Sequence, residues 1–116
     1  MSTVPSLDGR RFRSVAEVDG GDVGVETVFE YAESADGVIH AGYAGGAVTL
    51  GFLVGTRDGD ALDFRYAQLR ADGTTATGHC RSVASLLPDG RVRLDEKWEW
   101  ESAAGSGTSA VEELER

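Results

Sequence analysis

The sequence predicts an all-β domain, an eight-stranded antiparallel up-and-down (meander) β-barrel, and three observations lead there. The dipeptide Asp-Gly occurs six times, at 8–9, 19–20, 36–37, 58–59, 72–73 and 89–90. Asp-Gly supplies the positive φ angles that tight hairpin turns require. The segments between these marks are rich in Val, Phe, Tyr, Thr and Trp, the residues that favour strands. Counting the glycine-rich stretches "AGG" at 44–46 and "AAGSG" at 103–107, the punctuation recurs every 9 to 17 residues. Between the marks no segment gives a convincing helical period except the last.

Taken in order, residues 1–9, "MSTVPSLDG", are expected to form a flexible N-terminal segment, and residues 10–116 a single β-barrel domain. The expected strands are Arg11–Val18, Val23–Tyr31, Val38–Tyr43, Ala47–Thr56, Ala61–Arg70, Thr74–Val83, Arg91–Glu101 and Thr108–Leu114. Alternation of apolar and polar residues is cleanest in "LDFRY" (62–66) and "RLDEKWEW" (93–100). The final "SAVEELER" also has some helical spacing and is read as a strand. Val23, Val25, Thr27, Phe29 and Tyr31 share one face of the second strand. "TLGFLVGT" is apolar on both faces; its Gly51 and Gly55 either make room for the tryptophans or mark bends in the wall. Joined by short hairpins, these strands form a meander. An open meander leaves two unpaired edges, and closure removes both. A closed barrel of the streptavidin or lipocalin kind is therefore expected, with a two-layer sandwich as the alternative.

At 116 residues the chain is one domain by length. No apolar run approaches the roughly 18–20 residues of a membrane helix. The N-terminus has no basic region followed by an apolar core, so a soluble, cytoplasmic protein is expected. Cys80 is the only cysteine and can form no internal disulfide. Eleven basic residues face 20 acidic ones, a net charge of -9. That balance repels a phosphate backbone or an anionic bilayer, so neither nucleic acid nor membrane is expected as a partner.

The hairpins also give a register. With two-residue loops at Asp72-Gly73 and Asp89-Gly90, Tyr66 faces His79, Phe64 faces Arg81, and Leu62 faces Val83. On the next strand His79 then faces Trp100, Arg81 faces Trp98, and Val83 faces Glu96. One face collects Leu62, Phe64, Tyr66, His79, Arg81, Val83, Leu94, Glu96, Trp98 and Trp100. The other collects Asp63, Arg65, Arg93, Asp95, Lys97, Glu99 and Glu101 and must be the solvent face. His40 is read as an ordinary strand histidine on either face.

The inner face contains His79, Arg81 and Glu96 among large apolar residues. A buried charge is costly unless paired. One reading is structural: Arg81 and Glu96 pair to close one end of the barrel, and His79 bonds Tyr66. The other is a pocket, with Phe64, Tyr66, Trp98 and Trp100 as walls and His79, Arg81 and Glu96 as polar contacts. An arginine there suggests an anionic ligand such as a carboxylate.

Familiar catalytic chemistry is missing. The sequence has no Walker loop, no G-x-G-x-x-G after a strand and no G-x-S-x-G elbow. His79 and Cys80 are adjacent, so on a strand they point to opposite faces and cannot act together. Two histidines and one cysteine leave little for a metal site. No cofactor is expected.

The segments "GRRFRSV", "GDVGVETVFEY", "YAGGAVTLGFLVG", "LDFRYAQLRADG", "TGHCRS", "LPDGRVRLDEKWEWES" and "GTSAVEEL" resemble, in order, a family of small bacterial proteins of about this length. Its members often carry the label N-acetylglutamate synthase. That resemblance implies a shared fold and, through the label, acetyl transfer from acetyl-CoA. The chain has no Q/R-x-x-G-x-G/A loop of the familiar acetyltransferases, and no catalytic residue carries over. Three functions are thus expected in order: a small-ligand-binding barrel, a packed barrel acting in interaction or assembly (a homodimer being the partner considered), and an enzyme.

Overall fold

Each strand pairs with its sequence neighbour, and the last pairs with the first. The computed structural model describes residues 4–16 and 20–115. Among them lie eight strands: β1 (Arg11–Ser14), β2 (Val28–Glu33), β3 (Val38–Gly45), β4 (Val48–Asp58), β5 (Ala61–Arg70), β6 (Thr75–Leu86), β7 (Val92–Trp100) and β8 (Ser106–Glu113). Every pairing is antiparallel, and the sheet closes as a barrel in the order β1 to β8. Closure joins Phe12 to Glu113, Arg13 to Glu112 and Ser14 to Val111. The ladder is extended by Val15 N–H donating to the Ala110 carbonyl at 3.1 Å and Leu114 N–H to that of Arg11 at 2.8 Å. Among the described strands no edge is left to template another chain.

From β3 onward the expected boundaries hold to within three residues, the largest difference being β6, which runs to Leu86 rather than Val83; the start of the chain differs more. β1 ends at Ser14, and residues 17–18 of its expected span lie outside the described residues, as does Asp19. β2 begins at Val28 rather than Val23. Residues 20–27 instead cross one end of the barrel, hereafter its mouth. Thr27 is buried there; its hydroxyl accepts from Gly24 N–H at 3.1 Å and donates to the Gly45 carbonyl at 3.0 Å. Val25 is exposed, so the expected face is broken there: Phe29 and Tyr31 point inward from β2, Thr27 is buried just before it, and Val23 packs against the core from the crossing segment.

The hairpin registers correct one strand. Tyr66 pairs with Gly78, Phe64 with Cys80 and Leu62 with Ser82. Gly78 pairs with Trp100, Cys80 with Trp98 and Ser82 with Glu96. Both registers differ by one residue from the expectation, because both loops have three residues. Arg70 N–H donates to Thr74 O at 2.8 Å, enclosing Ala71, Asp72 and Gly73, and Gly73 N–H donates to Arg70 O at 2.9 Å. Leu87 and Arg91 enclose Pro88, Asp89 and Gly90 in the same way. Gly73 and Gly90 take φ +88° and +89°, the left-handed third position of such loops. Each slip turns the following strand over, so two in succession cancel. β6 is reversed, and β7 keeps its expected facing. His79, Arg81 and Val83 point outward, and Cys80, Ser82 and Ala84 point inward.

The half of the barrel away from the mouth is packed solid. Phe12, Ile39, Leu62, Leu94, Val92 and Val111 are fully buried there. Each such side chain contributes roughly 1.5–3 kcal/mol of hydrophobic stabilisation. The expected flexible segment 1–9 is instead packed against this end over residues 4–9, with Leu7 at 0% exposure; residues 1–3 lie outside the described set. Arg57 holds it, donating to the carbonyls of Pro5 at 2.8 Å and Val4 at 2.7 Å and pairing with Glu33 at 3.0 Å. Arg10 pairs with Glu113 at 2.9 Å beside it. Arg10–Glu113 and Arg57–Glu33 therefore close this end, not Arg81 and Glu96.

Glycines seat the large rings of the other half. A Cβ on Gly51 would lie 2.3 Å from the Tyr43 ring, one on Gly78 2.2 Å from the Tyr66 hydroxyl, and one on Gly107 2.5 Å from the Trp98 indole. Gly51 thus makes room for a tyrosine rather than a tryptophan. At Gly78 the added carbon would also meet the Glu99 carbonyl at 2.6 Å, so the conflict cannot be relieved by a side-chain turn alone. Gly78→Ala is expected to cost about 1–3 kcal/mol of stability by overpacking, read from urea unfolding of the variant and the parent protein.

Candidate functional site

Toward the mouth the inward positions carry six aromatic rings: Phe29 on β2, Tyr43 on β3, Phe64 and Tyr66 on β5, and Trp98 and Trp100 on β7. Strand alternation places each pair two residues apart on the same face. The rings fix one another. Phe29 stacks on Tyr43 at 4.6 Å, Tyr66 meets Trp100 edge-on at 5.9 Å, and Trp98 meets Trp100 edge-on at 5.6 Å. They enclose a cavity of about 50 Å³, which Glu96, Cys80, Ser109, Gln68 and Asp22 also line. Open space persists here because rigid rings opposite glycines cannot collapse inward to fill it.

Glu96 is the floor. It lies on the inward face of β7, only 9% exposed. Ser109 donates to its Oε1 at 3.1 Å and Ser82 to its Oε2 at 3.4 Å. Burial pushes the Glu96 carboxyl up to about 7, although the two serine hydrogen bonds favour its ionised form. No cationic side chain lines the cavity among the described residues. Burial likewise raises the Cys80 thiol and the hydroxyls of Tyr31, Tyr43 and Tyr66 above their usual values, so these groups stay neutral. Among the described residues the buried Tyr31 hydroxyl has no hydrogen-bond partner, and Glu96 is the charged group that most affects it.

A polar chain ties the mouth to the strap formed by residues 20–23. Tyr43 donates to Gln68 Oε1 at 2.8 Å, and Gln68 Nε2 donates to Asp22 Oδ2 at 2.8 Å. Arg70 Nε donates to the same oxygen at 2.7 Å. Arg70 also stands 5.4 Å over the Trp100 ring, and Trp100 Nε1–H donates to the Gly20 carbonyl at 3.1 Å.

Of the seven residues expected at a site, five come together here: Phe64, Tyr66, Glu96, Trp98 and Trp100. His79 and Arg81 do not. His79 Nε2 meets Asp63 Oδ1 at 2.5 Å on the outer face, with Glu99 3.7 Å from Nδ1. That histidine bond is the main reason the Asp63 carboxyl is held below its usual range. Arg81 reaches the other oxygen of Asp63 at 3.4 Å, its side chain 75% exposed. The Tyr66 hydroxyl reaches the Glu99 carbonyl at 3.4 Å rather than His79. His40 is exposed on the outer face of β3. Sequence reasoning missed Ser82, Ser109, Gln68 and Asp22. The correct β6 register would have supplied Ser82 and Cys80; Asp22 lies in an irregular segment that no periodicity signals. Among the described residues no cluster of His, Cys, Asp and Glu could hold a metal ion.

Residues 5–114 match the family described as avidin-like protein. No curated protein and no solved structure matches the chain.

Buried Glu96 makes stability depend on pH. Its carboxyl is raised from 4.5 to about 7 on folding, so the folded state holds its proton more tightly. The associated stabilisation is complete below pH 4.5 and is lost as pH rises through about 7. The change is on the order of 3 kcal/mol at 1.36 kcal/mol per pH unit. Glu96→Gln is expected to remove that slope and to exceed the parent protein in stability at pH 8. Equal slopes between pH 4.5 and 8 for the two proteins would refute this placement of Glu96.

Proposed function

The chain belongs to the avidin-like family, and on that premise we propose that it binds a small molecule inside its barrel, at the mouth end. The observation that carries this reading is the cavity itself: six aromatic rings around open space, with a buried carboxyl as its floor. Sites for drug-sized ligands occupy roughly 300–1,000 Å³. A cavity of about 50 Å³ takes a head group of a few heavy atoms, with any remainder of the ligand leaving through the mouth. The expectation of an anionic ligand rests on Arg81, whose outward position removes that support. Both tryptophans line the cavity, so titration of intrinsic fluorescence against a library of small metabolites reads the site directly. Saturable changes accompanied by a raised melting temperature are expected. A library that leaves both signals unmoved would sink this reading in favour of a barrel without a ligand. The acetyl-transfer alternative is decided by assay with acetyl-CoA and glutamate, in which no turnover is expected.

We further propose that a second copy of the chain covers part of the outer face. Leu50, Phe52, Val54 and Leu69 are exposed large hydrophobics, Phe52 at 61%. They adjoin one another across β4 and β5, where Leu50 pairs with Leu69 and Phe52 with Ala67. The outward residues here, His40, Gly42 and Ala44 of β3, Leu50, Phe52 and Val54 of β4, and Arg65, Ala67 and Leu69 of β5, include no carboxylate. Two copies of net charge -9 repel, so an acid-free apolar face is where they meet at least cost. Light scattering is expected to show a dimer that Phe52→Glu converts to monomer. A monomeric parent protein at high concentration would rule the contact out.

A further inference from the structure

We propose that the ligand of this cavity is a compact N-methylated ammonium ion, held by the aromatic walls and the Glu96 carboxylate. This inference rests on the binding reading above and adds the chemical class of the ligand.

Charge and wall chemistry carry it together. The described residues lining the cavity include two carboxylates, Glu96 and Asp22, and no Lys, Arg or His. The carboxylate at the floor lies beneath rings whose faces are electron-rich. A cation over the face of Trp or Tyr gains about 0.5–1 kcal/mol when exposed and about 2 or more when desolvated. An anion would meet the same faces and Glu96 as repulsion. The protein already uses one of these rings in this way, since the Arg70 guanidinium sits 5.4 Å over Trp100. Arg70 itself is engaged by Asp22 at 2.7 Å and does not line the cavity.

The scarcity of acceptors narrows the class. Ser82 and Ser109 already donate to Glu96, and Tyr43, Gln68 and Asp22 bond in series. A metal ion or a primary ammonium would shed its hydration shell and find few oxygens in return. A methylated ammonium spreads its charge over C–H surface, is weakly hydrated, and fits apolar rings. Its head is also compact enough for a cavity of about 50 Å³. The net charge of -9 draws cations toward the protein from a distance.

The pH response follows from what surrounds Glu96. Tyr31 from β2, Tyr43 from β3, Tyr66 from β5 and Cys80 from β6 face it or couple to it and stay protonated, while Ser82 and Ser109 do not titrate. Asp95, its neighbour in sequence, points outward. Asp22, the other carboxylate of the lining, is ion-paired with Arg70 at 2.7 Å. Between pH 5.5 and 8.5 the change at the cavity floor is ionisation of Glu96, which favours a bound cation.

The test titrates purified full-length protein with tetramethylammonium and choline, with sodium as the ionic-strength control. The comparison ligands are 3,3-dimethyl-1-butanol, the uncharged carbon analogue of choline, and 3,3-dimethylbutanoate. Tryptophan fluorescence and calorimetry provide the readouts. Choline is expected to bind about tenfold or more tightly than the alcohol, the size of a desolvated cation–π contribution, with no response to the carboxylate or sodium. Choline affinity is expected to rise with pH in the parent protein. In Glu96→Gln, whose fold is checked by its unfolding transition, affinity is expected to fall about tenfold and lose its pH dependence. Equal binding of the alcohol, unchanged binding in Glu96→Gln, or no binding of either methylated cation overturns the inference. If the cations fail while another library compound perturbs the tryptophans, only the ligand class falls; if nothing binds, the binding reading falls with it.

Discussion

The short ladder between β1 and β8 is the constraint on which the molecule depends. It joins residues 12–14 to residues 111–113, nearly the full length of the chain apart. It converts a meander with two raw edges into a closed wall, and a closed wall of eight strands encloses an interior that must be dealt with. The two ends of that interior are treated differently. Away from the mouth, Phe12, Ile39, Leu62 and Leu94 fill it, and Leu7 plugs the end with Arg57 and Glu33 holding the plug in place. Toward the mouth the same wall carries large rings seated directly on glycines, which leave no side chain to fill the space between the rings.

That division explains why the charged residue sits where it does. Glu96 occupies the boundary between the filled and open halves, below Trp98 and above Leu94 on one face of β7. An apolar residue of similar size would serve packing better, because burying a carboxyl carries a desolvation cost. Two serines from the flanking strands soften the cost without cancelling it. A local violation of the rules of core composition, supported by neighbours and opening onto a cavity, is the pattern expected of a functional site. Cys80 beside it shows the contrast: with its thiol held neutral by burial, it behaves as a small apolar filler.

Register governs the outer surface as strictly as the interior. His79 and Arg81, which a one-residue register difference assigns to the interior, form with Asp63 an ordinary surface cluster across β5 and β6. The exposed Arg81–Asp63 pair contributes little to stability. Once they are outside, the interior retains an acid without its expected arginine partner, and the polarity of the cavity reverses.

The architecture was legible because each part of it is local. Turn dipeptides, strand composition and chain length each constrain only neighbouring residues, and eight strands follow from them. The inward facing of Phe64, Tyr66, Glu96, Trp98 and Trp100 was legible as well, since alternation along one strand needs no knowledge of its neighbours beyond one anchor. The facing of β6 was not. It turns on whether Asp72-Gly73 and Asp89-Gly90 close two-residue or three-residue loops, a difference set by hydrogen bonds from Arg70 and Leu87 that form only when the flanking strands pair. Asp22, Gln68 and Ser109 were also beyond reach, because they meet Tyr43, Arg70 and Glu96 across 13 to 48 residues of chain. By itself the sequence determined the number of strands and the inward facing of Phe64, Tyr66, Trp98 and Trp100, since these depend on local preference, while it left closure against a sandwich open because that needs β1 to meet β8 across the chain. Only the tertiary structure decided which charges share the cavity, because that depends on register between strands, where a shift of one residue exchanges inside for outside.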